Sequence, residues 1–303
     1  MFSCRNCGSV EVRDLGFIGE VAPFFLKRVF QMETRTVPAA KPFKRLVQAM
    51  TTVPQMAISR IHRNAVLLEV QACTSCSFVQ AKHGFSDESL SNLYRDYRSD
   101  TYNQERIHYE PSYRGIANQV GSLQEETDTR IETLTAWLQD LIVPDSSFSM
   151  LDYGGADGKF LPRVAGSKYV YEISNIEPVP DVVSIKDESQ LNLYSYIQLA
   201  HILEHVNQPL EMVRRVSRWL SPGGYLYIEV PQDFTDTKLG QLVAGTYSGV
   251  VPIHEHINLY SARSVEKLMS SAGLQLVKVE AVGLNLGWTN TTNIRALGRK
   301  ADQ

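Results

Sequence analysis

Four cysteines stand in two short motifs of identical spacing. Cys4 and Cys7 form the first C-x-x-C pair, and Cys73 and Cys76 form the second. Because each pair offers two thiolates to one ion, the two pairs together predict a tetrahedral site for a structural Zn²⁺. Four thiolates leave no coordination position open, so this ion would take no part in catalysis. The alternative is that one pair is redox-active or idle, although neither pair lies in a βαβ pattern.

A glycine-rich turn follows a short apolar run near the middle of the sequence. Residues 150–162 read MLDYGGADGKFLP, in which Asp152, Gly154 and Gly158 give the spacing D-x-G-x-x-x-G. Glycines allow a positive φ and the close approach of a ligand to the backbone. Residues 159–161 predict the first turn of a helix, whose free N–H groups would add hydrogen-bond donors. The pattern predicts a cofactor cradle, and a ligand-free β-turn is the alternative.

The turn does not match the dinucleotide fingerprint G-x-G-x-x-G. Counted from Gly154, the second glycine is replaced by Ala156 and the third by Lys159. Ala156 suits the turn only if its φ stays negative. Glu172 lies 20 residues beyond Asp152, where a carboxylate can accept hydrogen bonds from both hydroxyls of a ribose. A dinucleotide enzyme would also carry an acid there, so Glu172 does not separate the two kinds of cofactor.

Titratable side chains are concentrated in two segments of the second half. His201 begins the run HILEHV directly after a predicted strand at residues 196–200, and the carboxyl ends of such strands bind ligands in α/β enzymes. His254, Glu255 and His256 are consecutive in a later loop. They do not form H-E-x-x-H, which excludes zinc-protease chemistry. A histidine titrates near neutral pH and a carboxylate can orient it, which suits a base. The alternative is a structural cluster that anchors the loop.

Three motifs together resemble the class I S-adenosylmethionine (SAM)-dependent methyltransferases, over about residues 128–303. They are the D-x-G-x-x-x-G turn, the HILEHV run, and WLSPGGYLYIEVP, which is typical of a helix ended by P-G-G before a strand. The HEH segment resembles that of sugar methyltransferases with an N-terminal zinc module. Two features depart from the pattern: Ala156 replaces a usual glycine, and the further C-terminal domain of the sugar C-methyltransferases is not expected here.

The resemblance implies roles for particular residues. Those expected to bind SAM are Asp152, Gly154 and Gly158 for the methionine end, Glu172 for the ribose and Asp187 for the adenine amino group. Glu255 and His256 are expected to form the pair that takes a proton from the substrate. His201 is expected to contact cofactor or substrate.

The order of elements predicts an α/β fold, namely a Rossmann-like, doubly wound sheet of seven strands with a small zinc-ribbon-like domain before it. Apolar residues recur at helical spacing across residues 128–142, just before the first strand of this sheet. The predicted domains are a zinc-ribbon-like module at 1–83, a tyrosine-rich connecting or lid segment at 84–127, and the SAM-binding domain at 128–303.

The cysteine pairs are separated by residues 8–72, a longer interval than in usual zinc ribbons. Within it, residues 21–63 carry eight lysines and arginines against the single acid Glu33. Such an insert suits either a negatively charged partner or packing on the neighbouring domain, and its interleaved apolar residues favour packing.

Composition sets the remaining expectations. With 43% hydrophobic residues the 303-residue chain can form a full core, and its net charge of −3 argues against nucleic-acid binding. No apolar stretch approaches the roughly 18 residues of a membrane span, and no signal peptide is recognisable, so a cytoplasmic protein is expected.

We therefore expect a SAM-dependent methyltransferase that acts on a small hydroxylated acceptor, such as a sugar or sugar nucleotide. Transfer to oxygen is favoured over transfer to carbon. One alternative is a non-catalytic binding protein with a methyltransferase-like fold. A second alternative, an NAD-dependent oxidoreductase, lacks support because the third glycine of its fingerprint is missing.

Overall fold

The structure is a computed structural model, which describes residues 3–32, 60–62, 65–97, 99–115, 117, 119, 123–174 and 176–302. The strands are β1 (Val12–Val21), β2 (Arg60–His62), β3 (Ala65–Cys73), β4 (Val79–Ala81), β5 (Ser149–Tyr153), β6 (Ser167–Tyr171), β7 (Val182–Ile185), β8 (Tyr194–Ala200), β9 (Leu220–Pro231), β10 (Val251–Ile253), β11 (Asn258–Leu259), β12 (Gln275–Asn285) and β13 (Asn290–Arg299). The α-helices are α1 (Pro23–Phe30), α2 (Asp87–Tyr94), α3 (Asp100–Tyr109), α4 (Gln124–Leu138), α5 (Pro209–Val216), α6 (Asp236–Ala244) and α7 (Ala262–Ser271).

The larger sheet has seven strands in the order β12-β13-β9-β8-β5-β6-β7. Strands β5 to β9 run parallel, whereas β13 is antiparallel to both of its neighbours. The predicted seven-stranded Rossmann-like sheet is confirmed. From β5 the chain moves outward to β6 and β7, then returns to place β8 on the other side of β5. Open α/β sheets bind ligands at such a reversal, beside the carboxyl ends of the strands.

Both faces of this sheet are covered by helices. Successive residues of a strand point to opposite faces, and β5 follows that rule: Met150 packs with Leu138 of α4, whereas Leu151 packs with Val213 of α5 and Leu268 of α7. All five side chains are buried. The sheet is therefore held rigidly enough from both sides to fix the loops at its edge.

The smaller sheet has the strand order β10-β1-β3-β4-β11, and β2 pairs with β3. It contains the predicted N-terminal module, but β10 and β11 come from residues 251–259, within the predicted SAM-binding domain. Strand β10 pairs with β1, and β11 pairs with β4. The predicted ranges 1–83 and 128–303 therefore meet in one continuous sheet.

The expected helix after the glycine-rich turn is absent from the structure, and this prediction was wrong. Residues 154–166 form turns and bends, and the next regular element is β6. Gly158 adopts a left-handed φ of 74°, and Pro162 lacks the N–H that a continuing helix would need. Leu161 is buried against the α4 face of the sheet, which fixes the loop in place of helical hydrogen bonds. No helix N-terminus contributes donors at this turn.

The segment between the sheets contains α2 and α3, each begun by a serine N-cap: Ser86 accepts a hydrogen bond from Ser89 N, and Ser99 from Tyr102 N. Helix α1 buries its apolar face, and its Arg28 pairs with Glu105 of α3. That part of the basic insert therefore packs as expected, while its residues 33–59 and 63 lie outside the described residues. None of the described helices combines the length and hydrophobicity that a membrane crossing requires.

Candidate functional site

Four of the predicted cofactor residues, Asp152, Gly154, Gly158 and Glu172, lie where β5 and β6 end, and the fifth, Asp187, follows β7. The turn that follows β5 carries Gly154 and Gly158, both with φ of 74°, and Ala156 with φ of 54°. The expectation of a negative φ at Ala156 was therefore wrong, since the turn forces this alanine into the left-handed region. That conformation costs a non-glycine residue roughly 1–2 kcal/mol. Residues 154–157 of this turn are half-buried, so they remain partly accessible to a ligand.

Glycine is required in this turn for reasons of space as well as of φ. A Cβ at Gly155 would lie 2.0 Å from Cγ of Asp152, because the turn folds directly over that carboxyl group. A Cβ at Gly154 would lie 2.8 Å from Ile202 Cδ1. The turn thus packs directly on the end of β5, and a larger residue at Gly154 or Gly155 would displace the turn.

Asp152 lies under this turn and is only 2% exposed. Burial raises the pKa of its carboxyl group to about 7, and the neighbouring Gln198 amide offsets this only in part. Nε2 of Gln198 is itself buried without a hydrogen-bond partner. These groups leave unused polar capacity under the turn, which a bound amino-acid group could satisfy.

Glu172 lies at the carboxyl end of β6 and faces the same turn. Its Oε2 accepts a hydrogen bond of 3.2 Å from Ala156 N, and its Oε1 accepts one of 2.8 Å from Ser174 N. The carboxylate is half-buried and retains further acceptor capacity. Asp187 is more exposed, and its Oδ1 accepts a hydrogen bond from Ser189 N at the start of a short 3₁₀ helix. That backbone hydrogen bond lowers the pKa of Asp187.

The turn and its two carboxylates fit a nucleoside with an amino-acid tail. Gly154, Gly155 and Gly158 keep the backbone free of side chains, while the carboxyl groups of Asp152 and Glu172 lie beside the turn as hydrogen-bond acceptors. A cationic amino group and a ribose diol are groups that such acceptors bind. When SAM binds, it supplies an electrophilic methyl group.

The HEH loop spans His254 to Ile257 between β10 and β11. Nδ1 of His256 lies 2.8 Å from Oδ2 of Asp233, a residue that follows the carboxyl end of β9. Burial lowers the pKa of His256, but the Asp233 carboxylate outweighs it, and the net pKa is raised. Sequence reasoning did not select Asp233. Its position just after a central strand was the signal that could have found it.

Glu255 does not pair with its neighbour His256. Its Oε1 accepts hydrogen bonds of 2.7 Å from the Tyr102 hydroxyl and 2.6 Å from Nη1 of Arg106, both on α3. Burial raises the pKa of Glu255, whereas Arg106 lowers it, and the net pKa falls below the usual range. Its carbonyl oxygen lies 2.9 Å from Nδ1 of His205. Glu255 therefore ties the HEH loop to α3 and to the HILEHV segment.

His201 has carboxylates on both ring nitrogens. Nε2 lies 3.2 Å from Oε1 of Glu229, and Nδ1 lies 3.2 Å from Oε1 of Glu204. Burial and Arg130 lower the pKa of His201, but the two carboxylates outweigh them and raise it. The backbone of His201 has a left-handed φ of 56° in this position. With a carboxylate oxygen beside each ring nitrogen, the half-buried His201 has no free nitrogen for a substrate proton.

Glu204 is fully buried in the 3₁₀ helix Leu203–His205, and neither of its oxygens accepts a well-aligned hydrogen bond. Burial raises its pKa, but His205 and His201 reverse that effect and hold the pKa at about 2. One ring nitrogen each of His205 and His256 and one oxygen of Glu204 lie within 4.8 Å of one another. His256 is therefore placed between two anionic groups, Asp233 and Glu204, which favour its protonated form.

The four cysteines are brought together as predicted. Sγ of Cys4 lies 3.7 Å from Sγ of Cys76, and Sγ of Cys7 lies 3.8 Å from Sγ of Cys73. A disulfide would need about 2.0 Å. A tetrahedron of thiolates around Zn²⁺, with Zn–S bonds of about 2.3 Å, has edges of about 3.8 Å. The cluster therefore has the dimensions of a four-thiolate metal site.

A methyltransferase-domain family model matches residues 123–279, which is just over half of the chain. The matched region includes β5 to β9 with the glycine-rich turn, the HILEHV segment and the HEH loop. The chain belongs to this family. It is a class I SAM-dependent methyltransferase.

Solved structures similar to this methyltransferase include three from different organisms. The 1,6-didemethyltoxoflavin-N1-methyltransferase of Burkholderia thailandensis, solved with S-adenosylhomocysteine, has 15% identity and a TM-score of 0.46, covering 74% of this chain and 96% of its own. A SAM-dependent methyltransferase of Methanosarcina mazei has 11% identity and a TM-score of 0.40, covering 55% and 98%. A phosphoethanolamine N-methyltransferase of Haemonchus contortus has 13% identity and a TM-score of 0.39, covering 62% and 60%. No protein of curated function matches the sequence.

Proposed function

We propose that the methyltransferase transfers a methyl group to a hydroxyl of a small acceptor, such as a sugar or sugar nucleotide, bound against the HEH loop. The observation that carries this proposal is the contact of 2.8 Å between His256 and Asp233 at the same sheet edge as the glycine-rich turn. Methyl transfer is an in-line displacement, so the acceptor oxygen must be positioned and deprotonated close to the cofactor.

His256 is the base in this proposal. Because Nδ1 is oriented by Asp233, Nε2 is left to receive the proton of the acceptor hydroxyl. Asp233 stabilises the imidazolium that results, and Glu204 adds a second negative charge nearby. Oxygen is favoured over carbon as the acceptor atom because one imidazole can remove a hydroxyl proton in step with the displacement. Glu255 and His201 take part by holding the loop and the sheet edge in place.

The acceptor class rests on the resemblance of the HEH segment to sugar methyltransferases and on aromatic rings beside the loop. Tyr97 is 40% exposed, and its ring contacts those of Tyr94 and Tyr102 at 5.6 and 5.3 Å. An exposed aromatic face with nearby hydroxyl groups suits a polar ring that also has apolar C–H surface. The four cysteines would hold a structural Zn²⁺, which four thiolates leave without an open coordination position for this chemistry.

Cofactor binding is tested by calorimetry with SAM and S-adenosylhomocysteine. Glu172→Gln keeps the shape of the side chain but removes its charge, so we expect a loss of about tenfold or more in affinity. Glu177→Gln is the matched control, because Glu177 is exposed on the following loop. Equal affinity of the two variants would show that Glu172 does not contact the ribose.

The base is tested by turnover on sugar and sugar-nucleotide acceptors. His256→Asn should reduce kcat by about 100-fold and leave SAM affinity unchanged, whereas His83→Asn, in the bend after β4, should retain activity. Full turnover by His256→Asn would contradict the assignment. Since the spacing of Glu204, His205 and His256 would also admit a divalent cation, each assay is repeated with EDTA.

A second candidate function is a binding protein that does not catalyse methyl transfer. The strained Ala156 and the hydrogen bond from Ala156 N to Glu172 favour it, because that bond occupies part of the acceptor capacity of Glu172. Tight SAM binding without turnover on any hydroxylated acceptor would support this second candidate.

A further inference from the structure

We propose that the four-cysteine centre positions the HEH loop, so that loss of its metal misplaces His256 while the SAM cradle stays intact. This inference rests on the proposed function for its kinetic consequence, but its structural part can be tested alone. The observation behind it is that both ends of the loop are strands of the smaller sheet, and the cysteine pairs lie at one end of the central strands of that sheet.

The first end of the loop is attached to β1. Strand β10 lies parallel to β1, with Val251 opposite Gly19 and Ile253 opposite Val21. Ala22 N donates a hydrogen bond of 2.8 Å to Ile253 O, so the pairing continues to the residue just before His254. A Cβ at Gly19 would lie 2.8 Å from Val70 Cγ2, which shows how closely the strands pack there. His254 therefore starts from a fixed backbone position.

The second end of the loop is attached to β4, directly beside the second cysteine pair. Leu259 is opposite Val79, which follows Cys76 by three residues. The turn that carries Cys76 is closed by the backbone of Cys73, because Cys73 N donates a hydrogen bond of 2.8 Å to Phe78 O. The Phe78 ring packs against Tyr260 at 5.0 Å. Any shift of the second cysteine turn is therefore transmitted to Leu259 and Tyr260.

Strand β11 in turn fixes the HILEHV segment. The buried Asn258 side chain donates hydrogen bonds of 2.9 Å to Leu203 O and 2.7 Å to Val206 O. The Tyr260 hydroxyl also donates to Leu203 O, at 3.1 Å, and Ile257 N donates to Glu204 O. The same short strand thus sets the HEH loop against the 3₁₀ helix that presents Glu204 and His205.

The first cysteine pair makes separate contacts with helices that cover the larger sheet. Asn6 lies between Cys4 and Cys7 and is fully buried; its Nδ2 donates a hydrogen bond of 2.8 Å to Ser264 O in α7 and lies 3.7 Å from Sγ of Cys76. Arg5 O accepts a hydrogen bond from Leu210 N at the start of α5. The metal would therefore join two turns that are anchored to different parts of the molecule.

The strands that carry the cofactor cradle belong to the larger sheet, and the cradle meets the HILEHV segment where Gly154 lies close to Ile202. Asp152, Gly154 and Glu172 lie on or just after β5 and β6, which pair only with strands of the larger sheet. Without an ion, four close thiols lose the bonds that hold the two turns together, and local opening is expected to spread along β4 and β11. SAM binding should then survive a change that abolishes methyl transfer.

The first experiment removes the metal from the reduced full chain by chelation, confirms its loss by elemental analysis, and follows amide hydrogen exchange. Exchange should accelerate in residues 73–81 and 251–260 and remain unchanged in 149–153 and 194–200. SAM affinity should stay within about threefold, and kcat should fall by about 100-fold. Addition of Zn²⁺ should reverse both effects. Unchanged protection of residues 251–260 in the metal-free protein would overturn the proposal.

The second experiment breaks the link and keeps the cysteines. Asn258→Ala should retain the metal and SAM affinity but show faster exchange at residues 254–257 and a lower kcat. Asn192→Ala, at an exposed asparagine between β7 and β8, is the matched control. Full turnover by Asn258→Ala would overturn the proposal, and this variant decides the matter if metal removal unfolds the whole chain. If wild type shows no turnover on any acceptor, the proposed function fails, whereas the exchange data still decide the coupling.

Discussion

Oδ2 of Asp233 lies 2.8 Å from Nδ1 of His256, although the two residues are 23 positions apart in the sequence. Asp233 follows β9 of the larger sheet, whereas His256 lies in a loop held by strands of the smaller sheet. The contact forms because β10 and β11 bring that loop across to the carboxyl edge of the larger sheet. The geometry of this base therefore depends on the fit between the two sheets.

The first prediction concerns Asp233→Asn. Because the Asp233 carboxylate raises the pKa of His256, its removal should lower that pKa. The acidic limb of the kcat–pH profile, where His256 becomes protonated, should move to lower pH. The plateau should fall by about 10- to 100-fold, since the imidazolium loses its stabilising partner.

Asp233→Glu should recover part of the plateau, because it restores the charge with a slightly longer side chain. SAM affinity, measured by calorimetry, should be the same in both variants. A profile of Asp233→Asn that keeps both the wild-type limb and the wild-type plateau would show that His256 is not the base.

The sequence could predict those parts of the fold that depend on local patterns. The parallel strands β5 to β9 were predictable from apolar runs bounded by turns, and the antiparallel β13 from the family resemblance. The thiolate cluster was predictable because C-x-x-C spacing allows few other arrangements in a reduced protein. Asp152, Glu172 and His201 lie at strand ends, which a sequence can locate once its strands are recognised.

The partners of the site residues could not be predicted in the same way. Glu255 is adjacent to His256 in sequence, but consecutive side chains diverge in an extended loop, and Arg106 of α3 is available to compensate a buried charge. The pairing of β10 with β1 joins residues far apart in sequence, and no local pattern encodes it. The missing helix after Gly158 reflects tertiary packing of Leu161 that overrides the helical appearance of residues 159–161.

The second prediction concerns Ala156→Gly. Ala156 has a φ of 54°, which costs an alanine roughly 1–2 kcal/mol and costs glycine nothing sterically. Part of this gain is offset by the greater flexibility of glycine when unfolded, so the net increase in the free energy of unfolding should be about 0.5–1 kcal/mol. Urea denaturation measures it. Ala244→Gly, in the last turn of α6, should instead be destabilising, and a loss of stability in Ala156→Gly would show that its φ is not strained.

The third prediction concerns Arg106→Met. This change leaves the buried Glu255 carboxylate with the Tyr102 hydroxyl as its remaining side-chain partner, and breaking such a pair costs about 3 kcal/mol. Because Arg106 lowers the pKa of Glu255 in the folded protein, the stabilisation is complete above the usual pKa of about 4.3 and is lost as pH falls through the folded value.

The difference in urea stability between wild type and Arg106→Met should therefore be largest near pH 7 and shrink below about pH 4. Adding Glu255→Gln to Arg106→Met removes the unpaired charge and should recover part of the loss. Arg106 also contacts Glu110 and the Tyr113 ring, so the double-mutant cycle is needed to isolate its pair with Glu255. Simple additivity of the two changes would show that the pair carries no coupling energy.

The fourth prediction concerns Asp152→Asn. Burial raises the folded pKa of Asp152 to about 7, against about 3.9 in an unfolded chain. Between these values the unfolded state releases the proton first, so the ionised carboxylate destabilises the fold increasingly as pH rises from about 4 to about 7. Asparagine removes this penalty. At pH 8 the free energy of unfolding of Asp152→Asn, measured by urea denaturation, should exceed that of wild type by roughly 1–3 kcal/mol, with little difference at pH 4.

The same substitution should weaken SAM binding, because the carboxylate that costs stability is the group expected to meet the cofactor's ammonium. Asp140→Asn, on the exposed turn after α4, should change neither property. A variant that loses stability equally at both pH values would show that Asp152 is charged and paired in the folded chain.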